Sequence, residues 1–179
     1  MELISLKPFE IDDVPQLEAW MYSGAYDDMF RDAPMLTREQ LRVYGYMKDG
    51  QCFTIWRRDA DGGFVDRMGF CVLYEMRAVP GNLKLAILVD QRFQKQGVCL
   101  EAMRLACDYV FNTLNFYKLI VEVLCTNKRL RELCEKGGGA IEATLKHEAK
   151  SGGQYADVVR YALFRDDFIK LNAEGRYGG

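Results

Sequence analysis

The strongest constraint on the fold is the stretch LAILVDQRFQKQGVCLEA at residues 85–102, where an apolar strand runs through a polar turn into a helix. The amphipathic pattern of that helix extends to Asn115, and a second apolar run, KLIVEVL, follows at 118–124. We predict buried strands at 83–89 and 118–124, joined by a helix over 97–115. Such a unit connects two parallel strands by a right-handed crossover, so the pattern predicts an α/β protein.

Antiparallel strands are predicted on both sides of this unit. DADGG at 59–63 and SGGQ at 151–154 are typical hairpin turns. The remaining predicted elements are strands at 2–8, 52–57, 67–76, 140–148 and 156–164 and helices at 14–21, 37–47 and 128–136. This order predicts one mixed sheet, mostly antiparallel, with one parallel pair.

The length of 179 residues suits a single domain, which we expect at 1–167, followed by a flexible tail at 168–179. The net charge of −2 gives no general attraction to nucleic acid. No apolar run is long enough to span a bilayer, and the first residues, MELISLKPFEIDD, lack the apolar core of a secretory signal. We therefore expect a cytoplasmic protein without membrane contacts.

Six cysteines and a single histidine, His147, argue against a metal site. No two cysteines form the CxxC pair that zinc sites commonly use. Each cysteine lies in an apolar or helical run, as a small reduced core residue of a cytosolic protein does. We expect six free thiols and no bound metal.

The turn before the central helix has two possible roles. A helix N-terminus presents unpaired N–H groups and a partial positive charge, which favour phosphate. Gly97 allows the backbone to approach a ligand closely, and Arg92 and Lys95 add positive charge. Neither a nucleotide P-loop motif nor a Rossmann glycine motif is present. On these residues alone, the turn is either a phosphate cradle or an ordinary connection.

Three motifs in register resemble the GNAT N-acetyltransferase superfamily. QKQGVC at 94–99 is similar to its acyl-CoA pyrophosphate loop, Q/R-x-x-G-x-G/A. NKRLRELCEKGG at 127–138 resembles N-x-x-A-x-x-L-Y-E-K-x-G. GGQYADVVRYALF at 152–164 resembles the closing hairpin of the branch that includes ribosomal-protein and spermidine acetyltransferases. The resemblance implies a GNAT-like sheet whose parallel strands splay apart where the ligand binds.

The resemblance also implies how the donor, acetyl-CoA, is held. Its pantetheine arm would pair with the backbone of Ile87, Leu88 and Val89 like an added strand. One of these amides would polarise the thioester carbonyl and stabilise the tetrahedral oxyanion. Asn127 resembles the family's CoA-contacting asparagine. The pyrophosphate would rest on the loop residues Gln94, Lys95, Gln96, Gly97, Val98 and Cys99.

Three residues are candidates for proton transfer, each with a structural alternative. Cys134 stands where many relatives carry a tyrosine acid, and a thiol of pKa about 8.5 would match a leaving thiolate; alternatively it is a packed helix residue. Asp32, in an acidic loop with Asp27 and Asp28, is either a base near the acceptor or a solvated charge. Glu75 faces either the cleft or water, because strand alternation does not settle which.

The resemblance implies an N-acetyltransferase that moves the acetyl group to a primary amine by direct transfer in a ternary complex. The acceptor could be a protein N-terminus, a polyamine or another small amine. One alternative is a catalytically weak module that binds CoA or a partner; another is a toxin-like enzyme acting on aminoacyl-tRNA, against which the charge of −2 argues. The acceptor, the acyl-chain preference and the oligomeric state, a homodimer included, stay open, because fold alone does not fix function.

Overall fold

The structure of the protein is a computed structural model that describes residues 3–23, 49–76, 79–151 and 153–175. The helix predicted at 37–47 and the acidic candidates Asp27, Asp28 and Asp32 lie outside these ranges. The described strands are β1 (Leu3–Pro8), β2 (Gly50–Arg58), β3 (Phe64–Tyr74), β4 (Asn82–Val89), β5 (Lys118–Leu124), β6 (Ala140–Ser151) and β7 (Gln154–Phe164). The described helices are α1 (Val14–Met21), α2 (Val98–Asp108), α3 (Lys128–Lys136) and α4 (Arg165–Ala173), with a π-helical turn at Tyr109–Thr113 continuing α2.

The strands form one sheet in the order β1-β2-β3-β4-β5-β7-β6. β4 and β5 are parallel neighbours, whereas the other neighbouring pairs are antiparallel. The parallel pairing covers only Asn82–Lys84 with Lys118–Ile120. Beyond it, β4 stays paired with β3 and β5 with β7 to their C-terminal ends. The two strands therefore separate, which confirms the predicted splayed pair; we call the gap between them the wedge.

Apolar side chains cover both faces of the sheet, because strand residues alternate between them. On one face, which we call the α2 face, Leu85 and Val123 pack with Ala102 of α2 in the larger core cluster. On the opposite α1 face, Leu88 packs with Leu17 of α1 in a smaller cluster. The wedge thus opens between two helical layers.

The last helix corrects the predicted tail. Residues 168–173 belong to α4, and Phe168 is only 1% exposed. Its ring centroid lies 5.4 Å from that of Phe111, and Leu171 packs against the same core. The prediction of a flexible segment from 168 is therefore wrong as far as Ala173, because an aromatic anchor fixes this helix to the α2 face. No helix in the described part of the chain is long and apolar enough to cross a membrane.

Candidate functional site

The turn that follows β4 is organised by the buried carboxylate of Asp90. Its Oδ2 accepts from Trp20 Nε1 of α1 at 2.8 Å and from Arg92 Nη2 at 3.0 Å. Its Oδ1 accepts from the backbone N–H of Arg92 at 2.9 Å. Burial alone would raise the pKa of Asp90, but the hydrogen bonds from Arg92 and Trp20 outweigh it and lower the pKa. The turn is thus tied to α1, a role that sequence reasoning missed.

The backbone from Gln94 to Gly97 curls into an open cradle. Lys95 and Gly97 have φ angles of 64° and 81°, in the left-handed region that non-glycine residues rarely adopt. A Cβ placed on Gly97 would meet no atom within 4 Å, so the space beside it is open. The N–H groups of the first turn of α2, from Val98 onward, lack intrahelical partners by geometry. An anion therefore fits this cradle.

The side chains of the loop serve mainly to shape it. Gln96 Nε2 donates to the carbonyl of Arg92 at 2.9 Å, and Lys95 is exposed. Val98 is buried at 1% exposure, and Cys99 is half-buried, with its thiol pKa raised to about 11 by burial. The backbone N–H groups at the start of α2 and the exposed Lys95 side chain are thus the donors that this loop presents to solvent.

The edge of β4 faces the wedge at alternate residues. The N–H of Asp90 donates to Met68 O at 2.8 Å, and every second residue of an antiparallel strand bonds to the same neighbour. Leu88 therefore directs its backbone groups toward β3, where it pairs with Phe70. Ile87 and Val89 direct theirs into the wedge. The structure thus offers two of the three implied strand residues to a ligand, and Leu88 is not one of them.

A side-chain bridge crosses the open end of the wedge. Gln94 Nε2 donates to the Val89 carbonyl at 3.2 Å, and Gln94 Oε1 accepts from Arg129 Nη1 of α3 at 3.2 Å. Asn127, just beyond β5, caps α3 by accepting from Leu130 N–H at 3.1 Å through Oδ1. The cap uses this oxygen, so the amide nitrogen of Asn127 is the group available to a ligand.

Helix α3 is held against β7 by a tyrosine. Arg131 Nε donates to the Tyr161 hydroxyl at 3.2 Å, and that hydroxyl donates to Glu135 Oε1 at 3.0 Å. A Cβ on Gly139 would lie 3.0 Å from the Cys134 carbonyl and 3.5 Å from Tyr161 Cβ. The backbone carbonyl of Cys134 therefore leaves little room for a side chain at Gly139, whereas the distance to Tyr161 is an ordinary van der Waals contact.

Cys134 is a core residue of α3. It is 2% exposed and belongs to the α2-face cluster. Burial raises the pKa of its thiol to about 12, and the nearby Cys99 and Glu135 add to the effect. Such a thiol is a far weaker acid than an ordinary cysteine, whose pKa is about 8.5. The structure therefore favours the packing role over the acid role.

Glu75 belongs to a set of four charged residues on the α1 face. Lys84 Nζ lies 3.0 Å from Glu75 Oε1 and 3.3 Å from Glu122 Oε2. Arg160 Nη2 lies 2.7 Å from Glu122 Oε1. We call these four residues the charged row. Sequence reasoning found only Glu75; the signal for the others was a charge inside an apolar strand, as in NLKLAILV and KLIVEVL.

The single histidine lies in β6, at one edge of the sheet. His147 is exposed, and its backbone N–H donates to Asp157 Oδ1 at 3.0 Å. Within the described ranges, no group of three or more histidine, cysteine or acidic side chains is placed to hold a metal ion. All six cysteines are free thiols.

Comparisons with known proteins agree with this geometry. A family model described as an acetyltransferase (GNAT) domain matches residues 4–140. A spermidine N(1)-acetyltransferase of Escherichia coli (strain K12) is 30% identical over 104 residues, which are 58% of this chain and 56% of that protein. The chain thus matches about half the length of this curated relative.

Two solved structures share the fold. The crystal structure of spermidine N-acetyltransferase from Vibrio cholerae in complex with CoA and spermine superposes with a TM-score of 0.81 at 20% identity, over 93% of this chain and 98% of that one. A dodecameric structure of the Vibrio cholerae enzyme in an intermediate state gives a TM-score of 0.78 at 20% identity, over 93% and 96%. Together with the family match over most of its length, the open cradle and the splayed strands identify the chain as a member of the GNAT acetyltransferase family.

Proposed function

We propose that the protein transfers the acetyl group of acetyl-CoA to a primary amine, and that the acceptor is a polyamine or a related small amine. The observation that carries the proposal is the meeting of two backbone features at one end of the sheet. The unpaired N–H groups at the start of α2 and the open edge of β4 at Ile87 and Val89 lie on either side of one short turn.

The donor would lie along these two features. The pyrophosphate would rest in the cradle at 95–99, where N–H groups and the helix dipole favour an anion. The pantetheine amides would pair with Ile87 and Val89, which requires the Gln94 side chain to release the Val89 carbonyl. Arg129, freed from Gln94, would then be placed beside the phosphates.

The transfer itself follows from this placement. The neutral amine attacks the thioester carbonyl carbon, a C–N bond forms, and the carbonyl oxygen becomes an oxyanion. A wedge-facing N–H of Ile87 or Val89 would stabilise that charge, as preorganised backbone donors do in acyl transfer. Collapse breaks the C–S bond and releases the CoA thiolate. The nitrogen loses its extra proton to water, and the thiolate takes one from water.

We propose water rather than Cys134 as the acid. A thiolate whose conjugate acid has a pKa of about 8.5 is a good leaving group near neutral pH and needs little assistance. The thiol of Cys134, with a pKa of about 12, would give up its proton only uphill. Glu75 is held by Lys84 and is a candidate for orienting the acceptor rather than for removing its proton. The proposed transfer also requires no metal, so activity should survive a chelator.

The acceptor class rests on the relatives. The curated Escherichia coli relative is a spermidine N(1)-acetyltransferase, and the Vibrio cholerae structure holds CoA and spermine. The dodecameric Vibrio cholerae structure supports a homo-oligomer here as well, and a homodimer is one form that this proposal allows. Light scattering of the purified protein tests the assembly, and cell fractionation tests the cytoplasmic location.

The experiment is an amine panel with acetyl-CoA in which the released thiol is followed and the acetylated product is weighed by mass spectrometry. Spermidine, a monoamine such as butylamine and a peptide with a free N-terminus distinguish the acceptor classes. Calorimetry of CoA binding is run in parallel. If none of the amines causes thiol release and CoA binding is undetectable, the proposal is overturned.

A second candidate is a GNAT-fold module that binds CoA with little catalysis. The observation in its favour is that the buried Cys134 stands where many relatives carry a tyrosine that acts as the general acid. CoA binding of ordinary strength without turnover on any amine would support this candidate instead.

A further inference from the structure

The charged row lies on the α1 face, next to the wedge. Lys84 pairs in register with Tyr74, and its Nζ lies 5.9 Å from the centre of that ring, which packs against the α1-face cluster. Val121 and Val123 on β5 pack on the α2 face, so Glu122 between them points to the α1 face. Because the proposed donor occupies the N-terminus of α2, the working assumption is that an acceptor reaches the thioester from the α1 face.

Lys84 marks the apex of the wedge. It is the last β4 residue paired with β5, and its partner is Ile120. Glu122 is two residues farther along β5, where the strands have begun to separate. The contact between Lys84 Nζ and Glu122 Oε2 at 3.3 Å therefore spans the wedge next to the point where backbone pairing ends.

Both carboxylates of the row are already engaged by this ammonium. Lys84 Nζ contacts Glu75 at 3.0 Å as well, and its side chain is 17% exposed. Glu75 has a φ of 56°, a conformation that non-glycine residues rarely adopt, at the end of β3. Arg160 Nη2 forms an ion pair with the other oxygen of Glu122, Oε1, at 2.7 Å. The row thus has two negative and two positive groups and no net charge to offer a cation.

We propose that Lys84 is a specificity-determining residue for the acceptor. Its ammonium occupies the carboxylate pair of Glu75 and Glu122 and so limits how many positive charges an acceptor can place there. An amine with one cationic group within reach is accommodated, whereas a polycation must compete with Lys84. This inference rests on the proposed function, because it assumes that an amine enters from the α1 face.

The test replaces Lys84 with methionine, which keeps the apolar stem and removes the charge. With CoA bound, the Lys84→Met variant should bind spermidine about tenfold more tightly at low salt, because the partly buried carboxylate of Glu122 and the exposed carboxylate of Glu75 lose their shared cation. Butylamine affinity should change less than about threefold, since one ammonium gains less than several do. The gain for spermidine should shrink at high salt.

Three controls keep the result specific. Lys84→Arg retains the charge and should bind spermidine like the wild type. Lys146→Met removes an exposed lysine that pairs with Asp157 and should have no effect. The double variant Lys84→Met/Glu122→Gln should lose most of the gain, because the freed carboxylate is its source. If Lys84→Met has a much lower melting temperature than the wild type, the measurement is made with Lys84→Gln instead.

Equal changes for spermidine and butylamine, or weaker spermidine binding in the charge-removed variant, would overturn the inference. Calorimetry measures binding without turnover, so the result does not depend on catalysis. Absence of acetyl transfer in the wild type would count against the proposed function alone, and an unchanged spermidine preference in an active enzyme would count against Lys84 alone.

Discussion

The two faces of the sheet build their halves of the wedge from different atoms. On the α2 face, the cradle at 95–99 and the edge of β4 use backbone N–H and C=O groups. On the α1 face, the charged row uses four side chains from the end of β3 and from β4, β5 and β7. Backbone sites tolerate substitution wherever the local conformation survives, whereas a side-chain row changes with any one of its members. Under the proposed function, the donor would be held by the fold and the acceptor by a few side chains.

The largest expected effect concerns the core on which the donor half rests. Phe168→Ala should lower the free energy of unfolding by about 3–5 kcal/mol, because a buried ring beside Phe111 is lost. The neighbouring Ile169 is 50% exposed, so Ile169→Ala should change the free energy of unfolding by less than about 0.5 kcal/mol. Denaturant melts of both variants measure the difference. Similar stabilities would place α4 outside the core.

The next prediction tests the backbone cradle directly. Gly97→Val should weaken CoA binding by about tenfold, since a β-branched residue in the left-handed region costs about 1–2 kcal/mol. Gly153 in the β6–β7 turn is a matched control, because its φ of 80° and its open surroundings resemble those of Gly97. Gly153→Val should introduce the same backbone strain, but its CoA affinity, measured by calorimetry, should equal that of the wild type. Equal losses in both variants would mean that the cradle does not bind the donor.

The cysteines predict how the α2-face core responds to alkaline pH. The pKa of Cys134 is raised from 9.0 to about 12 in the folded protein. Its contribution to stability is therefore complete below pH 9 and is lost as the pH rises from about 9 toward 12. At pH 10 the loss should be on the order of 1 kcal/mol. Unfolding curves of Cys134→Ala between pH 8 and 10 should fall less steeply than those of the wild type; parallel curves would contradict the burial argument.

The smallest expected effect separates packing from chemistry at the same residue. If Cys134 only packs, Cys134→Ala should keep kcat within about threefold of the wild type, while an acid would contribute about a hundredfold or more. Stopped-flow measurement of thiol release gives the rate. A hundredfold lower kcat with unchanged CoA affinity would identify Cys134 as the general acid. The α2 face would then contribute a catalytic side chain as well as backbone groups.

The donor half could be predicted from the sequence because its determinants are local. A strand, one glycine with a positive φ and a helix start are contiguous in the chain, so the turn at QKQGVC could be located from the residues alone, while its role in holding the donor rests on the family resemblance and stays a proposal. The alternation of β4 was also readable, but which residues face the wedge depends on the pairing of Asp90 with Met68, a contact between distant residues. For this reason Leu88 could not be distinguished from its neighbours.

The charged row could not be predicted from the sequence, because its residues are distant in the chain and meet only in the folded sheet. Lys84 and Arg160 meet at Glu122 only because β4, β5 and β7 are neighbours in a particular register. KLIVEVL indicated a strand buried on both faces, and the charge within it was the one sign of a polar function there. The tail was misjudged because the chain ends in GRYGG, while the burial of Phe168 depends on Phe111, which is distant in the sequence.

The hydrogen bond from Trp20 to Asp90 gives the protein an optical signal of its own. The chain has two tryptophans, Trp20 and Trp56. Trp20, in α1, donates to the Asp90 carboxylate that shapes the cradle, at 2.8 Å. A ligand that shifts the turn changes the field at the indole ring. In a Trp56→Phe background, the intrinsic fluorescence of Trp20 would therefore report donor binding without a label.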